Sequence, residues 1–283
     1  MINSFRAQPK DNFILFIDLL GVKNQIKIGG TSVLSAILKG TVNETKRVMK
    51  ISNIPINGAE SIYFKMFSDN MIFCTESNWK FLLLVAAGLQ KHLVTFGIFL
   101  RGSLCFGSVC AEKDFVLGEG LVHAYELEAF CAKKPIIIVD TSFIEAIGKI
   151  IPIPSNNYEK VIAETEKTYF AYDGQGKRFI DYLNEARLTY GINSGPMINL
   201  MIEHQFRIKA NPLGNENKFR EKHRLLIDKH TEKIYKKFVW CRDYHNNFCQ
   251  KHSSFEKLVI DENIDVWCDD LEKHMIELGW WKK

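Results

Sequence analysis

Short apolar runs alternate with segments of helical spacing through the first part of the chain. Residues 12–17 form a continuous apolar run rich in β-formers, which is typical of a strand buried on both faces. Beyond Gly21, apolar residues recur at helical spacing as far as Lys50 and predict a helix. Residues 62–67 and 71–75 predict two strands joined by a short polar turn, which together make a hairpin.

The same alternation continues toward residue 148. The pattern predicts a helix over 79–95, strands over 98–105 and 109–110, a helix over 118–130 and a strand over 135–139. The resulting order, β-α-β-β-α-β-α-β, predicts an α+β fold in which helices lie on one face of a single sheet.

The character of the sequence changes after about residue 150. Residues 151–157 form a polar connector with two prolines, so we place a domain boundary there, between residues 1–150 and residues 151–283. The second region carries a short β-like stretch over 167–172. It is otherwise mainly helical and includes predicted helices over 216–249 and 265–278. The sequence indicates no role for this region.

Charge and composition restrict the classes of function. The hydrophobic set makes up 46% of the 283 residues, which is enough for a substantial core. Lys and Arg number 37 against 33 Asp and Glu, so the net charge of +4 does not indicate a nucleic-acid partner. The longest apolar runs are shorter than the roughly 20 residues of a membrane span. We therefore expect a soluble cytoplasmic protein with no membrane partner.

The seven cysteines are odd in number, lie in apolar surroundings and form no CxxC pair. This usage predicts buried reduced thiols rather than disulfides or a zinc site.

Two aspartates are the strongest candidates for chemistry. Asp18 ends the first strand immediately before a turn that contains Gly21, and Asp69 lies at the tip of the predicted hairpin. Two carboxylates on neighbouring strands can share Mg²⁺ with substrate phosphates. The alternative for each is local, since aspartate commonly caps helices and makes turns.

Four segments in order, spread over about residues 11–148, resemble class III adenylate and guanylate cyclases. They are Phe16-Ile17-Asp18-Leu19-Leu20-Gly21, Lys65-Met66-Phe67-Ser68-Asp69, the stretch from Leu100-Arg101 to Gly107-Ser108-Val109, and residues 118–128 followed by 135–140. The resemblance implies a ferredoxin-like, palm-type cyclase sheet. It also implies a nucleotidyl cyclase that forms a 3′,5′-cyclic nucleotide and pyrophosphate from a nucleoside triphosphate.

The resemblance also implies a set of site residues. Asp18 and Asp69 would be the catalytic pair and would hold Mg²⁺ or Mn²⁺ together with the backbone carbonyl of Leu19. Nucleotide contacts are expected from four further residues, which are Lys65, Gly21, Ser68 and Arg101. Lys65 would reach the base and Arg101 the phosphates; the alternatives are a solvent-facing lysine and an ion pair of Arg101 with a nearby acid. The family's active site is completed by a second subunit, which implies a homodimer.

The late helix departs from the family pattern. The family's asparagine and arginine align with Val122 and Glu126, so transition-state charge would need another cation. The segment 124–128, together with the opening at residues 16–21 and the hairpin at residues 67–70, is similar to bacterial Pycsar-type pyrimidine cyclases. This similarity implies UTP or CTP as substrate, antiphage signalling and a cyclic-nucleotide-responsive effector. Two other functions stay open, a cyclase-like module without turnover that binds a nucleotide or a protein, and a palm-type oligonucleotide synthase.

One further cluster stands outside these motifs. His204 and the Tyr244-His245-Asn246 segment can form an acid/base or ligand group, or a packed hydrogen-bonded knot between helices.

Overall fold

A computed structural model describes residues 8–51, 62–112, 115–150, 155–210 and 229–260. These residues divide into two compact units, and the chain passes between them several times. The first unit takes its described residues from 1–20, 40–90 and 100–185, and the second takes them from 21–39, 91–99 and 186–283.

Eight strands of the described chain form one sheet. They are β1 Lys10–Leu19, β2 Tyr63–Phe67, β3 Asn70–Thr75, β4 Leu100–Ala111, β5 Val116–Leu117, β6 Ile137–Val139, β7 Phe170–Tyr172 and β8 Arg178–Ile180. The strand order is β2-β3-β1-β4-β6-β8-β7, and β5 pairs with β4 beside this path. The β1 strand is central, antiparallel to β3 on one side and to β4 on the other, which explains its continuous apolar sequence.

The helices of the described chain account for most of its remaining residues. They are α1 Val22–Ile51, α2 Trp79–Val94, α3 Glu119–Glu126, α4 Thr141–Ile150, α5 Ser155–Tyr169, α6 Tyr182–Tyr190, α7 Gly195–Ala210 and α8 Lys229–Lys251. A π-helical segment, Leu127–Cys131, continues α3, and a 3-10 helix, Ser253–Leu258, follows α8.

The β4 strand is longer than the sequence predicted. The expected break at residues 106–108 is wrong, because β1 pairs with β4 without interruption from Lys10↔Val109 to Leu19↔Leu100. Gly107 lies in this stretch, where its missing side chain lets α3 pass close to the strand. A Cβ atom built on Gly107 would lie 2.8 Å from the Cα of Gly120.

The α3 helix is fixed to β4 by short polar contacts as well as by this close approach. The hydroxyl of Ser103 donates a 2.7 Å hydrogen bond to the carbonyl of Ala124, and both residues are buried. Burial raises the pKa of the neighbouring Cys74 thiol to about 12 and also raises that of Cys105. Both cysteines are therefore neutral core residues under α3.

The predicted α+β class is confirmed, with one correction to the placement of the helices. Alternate residues of a strand point to opposite faces. On one face, Ile14 and Phe16 pack in the same cluster as Ala124 of α3. On the other, Phe13 packs edge-to-face against Phe143 of α4, with ring centroids 5.2 Å apart. Helices therefore cover both faces of the sheet, not one.

The sheet continues beyond residue 150. The β8 strand pairs with β6 through Ile138↔Phe179, and β7 pairs with β8, so two short strands of the later sequence belong to the same sheet. The division at residue 150 stays a proposal. The β-like stretch expected over 167–172 is confirmed only for Phe170–Tyr172, because α5 extends to Tyr169.

The second unit contains the packed helices α7 and α8 and the 3-10 helix. The side chain of Asn246 in α8 forms two hydrogen bonds with the backbone of Ile260. The N–H of Ile260 donates to Oδ1 of Asn246 at 2.7 Å, and Nδ2 of Asn246 donates to the carbonyl of Ile260 at 2.9 Å. Of the helix predicted over 216–249, the described part begins at Lys229. The helix predicted over 265–278 lies outside the described residues.

The cysteines of the described chain agree with the sequence interpretation. Six are free thiols and five of them are buried, whereas Cys268 lies outside the described residues. Over the ranges that the structure describes, no helix has the length and apolar character needed to cross a bilayer.

Candidate functional site

A row of four residues crosses the end of the sheet at which β1 finishes. From edge to centre it consists of Phe67 of β2, Asn70 of β3, Asp18 of β1 and Arg101 of β4, each directly opposite the next. Directly opposite residues in antiparallel strands project from the same face, with Cβ atoms about 4.5–5.5 Å apart. The polar members of this row therefore share one face with Asp18 at their centre.

Asp69 lies in the hairpin turn beside this row. Its backbone carbonyl accepts a 2.9 Å hydrogen bond from the N–H of Leu19, which ties the turn to the end of β1. Its carboxylate Oδ1 accepts a 3.2 Å hydrogen bond from Nδ2 of Asn70, the residue opposite Asp18. The turn thus brings the second predicted aspartate beside the end of β1, where the side chain of Asn70 contacts its carboxylate.

Lys65 belongs to the next row on the same face. It lies opposite Ile72, which lies opposite Phe16, and Phe16 in turn lies opposite Ser103. This face is covered by α3, where the ring of Tyr125 meets that of Phe16 edge-on at 6.0 Å. The fold therefore places Lys65 one row from Asp18 and on the same side of the sheet.

Arg101 forms ion pairs with two carboxylates. Its Nε atom lies 3.0 Å from Oδ2 of Asp18 and also contacts Oε1 of Glu128. The ion pair with a nearby acid, the alternative stated for this residue, is thus present in the structure. A contact with phosphate stays a prediction.

The remaining predicted residues lie at the two turns. Leu19 is the last residue of β1, and Gly21 follows with a positive φ of 81°, a conformation that glycine adopts without strain. Ser68 is exposed at the tip of the hairpin and has a φ of 54°. Its left-handed backbone closes the turn that presents Asp69.

The two positions that depart from the family pattern lie on the outer side of α3. Val122 is 57% exposed and Glu126 is also exposed. Neither is part of the row around Asp18. The guanidinium within that row belongs to Arg101.

The residues around Asp18 fit a divalent cation that is bound together with a substrate. Over the described part of the chain, no group of three or more His, Cys, Asp or Glu side chains could hold a metal ion by itself. Mg²⁺ commonly takes only one or two protein carboxylates and completes its shell with water and substrate phosphates. Asp18 and Asp69 are the pair of carboxylates that the sequence predicts for this role.

Two residues of this site were not predicted from the sequence. Asn70 is identifiable only from the hairpin register, which sets it opposite Asp18. Glu128 is a buried acid whose partner Arg101 is remote in sequence, and no local pattern indicates such a pair.

The histidine cluster of the second unit is a buried hydrogen-bonded knot. Nε2 of His245 pairs with the carbonyl of Leu258 at 2.8 Å, and the two Nδ1 atoms of His204 and His245 lie 3.0 Å apart. A neutral His245 that donates from Nε2 accepts at Nδ1, so His204 donates from its own Nδ1. Burial lowers the pKa of His245 to about 4 and that of His204 well below its usual value.

The chain resembles several solved structures. The monomeric guanylyl cyclase domain of the RhoGC fusion protein from the aquatic fungus Blastocladiella emersonii is 14% identical; the match covers 62% of this chain and 98% of that one, with a TM-score of 0.44. The catalytic core of a rhodopsin-guanylyl cyclase with converted specificity, in complex with ATPalphaS, is 16% identical over 61% and 96% of the chains, with a TM-score of 0.44. A bacterial light-regulated adenylyl cyclase is 12% identical over 69% and 98%, with a TM-score of 0.39.

No protein-family model matches the chain, and no curated protein matches it.

Proposed function

We propose that the first unit binds a nucleoside triphosphate with a divalent cation and cyclises it to a 3′,5′-cyclic nucleotide. The observation that supports this most is the end of β1, where Asp18 lies opposite Asn70 and beside the turn residue Asp69. Two carboxylates at one end of neighbouring strands suit a phosphate-bound cation, and the first two cyclase-like segments contain Asp18 and Asp69. Mg²⁺ or Mn²⁺ is the expected cofactor.

In the proposed reaction the ribose 3′-hydroxyl oxygen attacks the α-phosphorus. The O3′–Pα bond forms, the bond from Pα to the bridging oxygen breaks, and pyrophosphate leaves with that electron pair while the hydroxyl proton passes to solvent. When bound, the metal ions lower the pKa of the hydroxyl and neutralise the triphosphate. Asp18, Asp69 and the backbone carbonyl of Leu19 would hold the ions.

Other residues of the same face orient the nucleotide. Lys65, one row from Asp18, contacts the base or its pocket, and Arg101 faces the phosphates. Ser68 lines the hairpin tip, and Gly21 provides the turn after β1. UTP or CTP is the favoured substrate and antiphage signalling the favoured role, both because of the similarity of residues 124–128 to pyrimidine cyclases.

A homodimer is proposed as the active form. Three large apolar side chains are exposed on α3 and the π-helical segment of the first unit; they are Val122, Tyr125 and Phe130. An exposed apolar group of this kind is typical of a protein-protein contact. Sedimentation velocity tests this proposal, because a monomer at micromolar concentration contradicts it.

The second candidate is a nucleotide-binding module without turnover. It is favoured by the ion pair of Arg101 with Asp18 and by the exposed Val122 and Glu126 where the family has its ribose and phosphoryl contacts. Such a module would bind the triphosphate or a protein partner and release no pyrophosphate.

Product analysis tests these functions. The purified protein is incubated with each of the four ribonucleoside triphosphates and Mg²⁺ or Mn²⁺, and the products are separated by chromatography. A 3′,5′-cyclic mononucleotide with pyrophosphate is the expected result. Linear or cyclic oligonucleotides would indicate a palm-type synthase. Triphosphate binding without turnover would indicate the nucleotide-binding module without activity.

A further inference from the structure

Glu128 is an acid in an apolar setting. It lies in the π-helical segment after α3 and is 3% exposed. Taking a carboxylate out of water is costly unless a cation or hydrogen-bond donors compensate it. Arg101 supplies such a cation, because its Nε contacts Oε1 of Glu128.

The same guanidinium nitrogen also forms an ion pair with Asp18. Nε of Arg101 lies 3.0 Å from Oδ2 of Asp18, so one positive charge is shared between two carboxylates. With both acids ionised, the three side chains carry a net charge of −1. Without the charge of Glu128, Arg101 would neutralise Asp18 alone and the net charge would be zero.

We propose that Glu128 is a positioning residue for Asp18. By sharing Arg101, it keeps the Asp18 carboxylate from being fully neutralised and leaves it able to bind a divalent cation carried by a triphosphate. This inference rests on the proposed function, because it assigns Glu128 to the site that Asp18 and Asp69 form. It gives Glu128 no direct contact with the cation.

Removal of Arg101 distinguishes this role from that of a direct cation ligand. In a Glu128→Gln variant Arg101 pairs with Asp18 without a competing acid, whereas in an Arg101→Gln background the guanidinium that links the two acids is absent. If Glu128 acts through Arg101, Glu128→Gln weakens cation binding in the wild-type background and not in the Arg101→Gln background, whatever Arg101 itself contributes to phosphate binding. If Glu128 is a direct ligand, or supports the site without Arg101, Glu128→Gln weakens binding by a similar factor in both backgrounds.

The probe is the Mn²⁺ complex of each of the four 3′-deoxyribonucleoside triphosphates, which lack the attacking hydroxyl and are not cyclised. Binding is followed by the enhancement of water proton relaxation, a signal that does not depend on turnover. We expect Glu128→Gln to weaken binding about tenfold or more, because a full Arg partner shifts carboxylate proton affinity by about 1–3 pK units. The Arg101→Gln/Glu128→Gln variant should bind within about threefold of Arg101→Gln, because Glu128 then has no guanidinium through which to act.

Glu126→Gln is the matched control, since Glu126 is an exposed acid two positions away on the same helical stretch. It should bind like the wild type, and thermal unfolding shows which variants are folded. If Glu128→Gln does not fold on its own, Arg101→Gln and the double variant still decide, because their affinities must agree within about threefold.

Two outcomes overturn the inference while leaving the proposed function intact. They are wild-type affinity in Glu128→Gln, and a double variant that binds about tenfold or more weakly than Arg101→Gln. A wild-type protein that binds none of the four complexes contradicts the proposed function itself, and the inference with it.

Discussion

Arg101 distributes one positive charge between Asp18 and Glu128, and the chemistry of the site depends on that division. A guanidinium is always ionised and presents its donors in a rigid plane, so it can serve two carboxylates together. Glu128 is nearly inaccessible to solvent, whereas Asp18 and Arg101 are partly exposed. Loss of the arginine should therefore affect Glu128 more than Asp18.

We expect Arg101→Gln to lower the free energy of unfolding by about 3–5 kcal/mol, because it leaves a buried carboxylate without its cation. The Arg101→Gln/Glu128→Gln variant should lose much less, since no buried charge is left. Urea unfolding monitored by circular dichroism measures both. A loss below about 1 kcal/mol for Arg101→Gln, in a variant that unfolds cooperatively, is incompatible with this ion pair.

The contact of α3 with β4 depends on two glycines at the level of elements. Gly107 of the strand and Gly120 of the helix face each other, and a Cβ atom on Gly120 would lie 2.7 Å from Cδ1 of Ile14 and 2.8 Å from the backbone carbon of Gly107. Backbone cannot move aside as a flexible side chain can. Because α3 lies so close to β4, Glu128 in the π-helical segment that follows α3 can contact Arg101 of β4.

Gly120→Ala is expected to cost about 1–3 kcal/mol of unfolding free energy through overpacking. Gly88→Ala is its control: Gly88 lies in α2, and a Cβ atom there would meet nothing within 4 Å. That control should be neutral or more stable by up to about 1 kcal/mol, since alanine has the higher helix propensity. Equal effects of the two substitutions would show that the α3-β4 approach is not tight.

At the scale of the whole molecule, most of the sheet follows from the apolar pattern. The run at residues 12–17 and the two runs around Ser68-Asp69 predict strands, and each forms one. The pattern predicts Asp18 at the end of the first strand and Asp69 at the tip of the hairpin, whereas the position of the hairpin beside β1 is known only from the pairing of β1 with β3. Local pattern determines these elements because each strand buries its own side chains.

Features that depend on tertiary contacts were not predictable in this way. The sequence around Gly107 resembles a turn, but its glycine serves the packing of α3 within a continuous strand. The Arg101-Glu128 ion pair joins a strand residue to an acid in a helical segment, and the sequence around neither residue predicts the other as its partner. The π-helical turn at Leu127–Cys131 likewise has no distinct residue pattern.

Acid should destabilise the protein through its second unit. His204 and His245 are buried as neutral side chains, and burial depresses the pKa of both. Above about pH 6.5, the usual value for histidine, they are neutral in the folded and unfolded states alike. Below pH 6.5 the two histidines bind protons in the unfolded chain but stay neutral in the folded chain. The free energy of unfolding therefore falls by about 1.4 kcal/mol per pH unit for each histidine, until the pH reaches the pKa of that histidine in the folded protein.

Ring-proton NMR between pH 8 and pH 4.5, recorded beside urea unfolding, checks this dependence. The two buried rings should stay neutral at pH 5. Titration of both buried rings near pH 6.5, or a free energy of unfolding that does not change between pH 7 and pH 5, would refute the buried neutral pair.

The rate of cyclic nucleotide formation in aspartate variants is the most direct measurement of the central claim. Asp18→Asn and Asp69→Asn each remove one cation-binding charge with little change in shape, and Asp11→Asn makes the same change at an exposed position of β1. The account predicts product from the wild type and from Asp11→Asn, and none above background from folded Asp18→Asn or Asp69→Asn. Wild-type rates in both of the latter variants would contradict it.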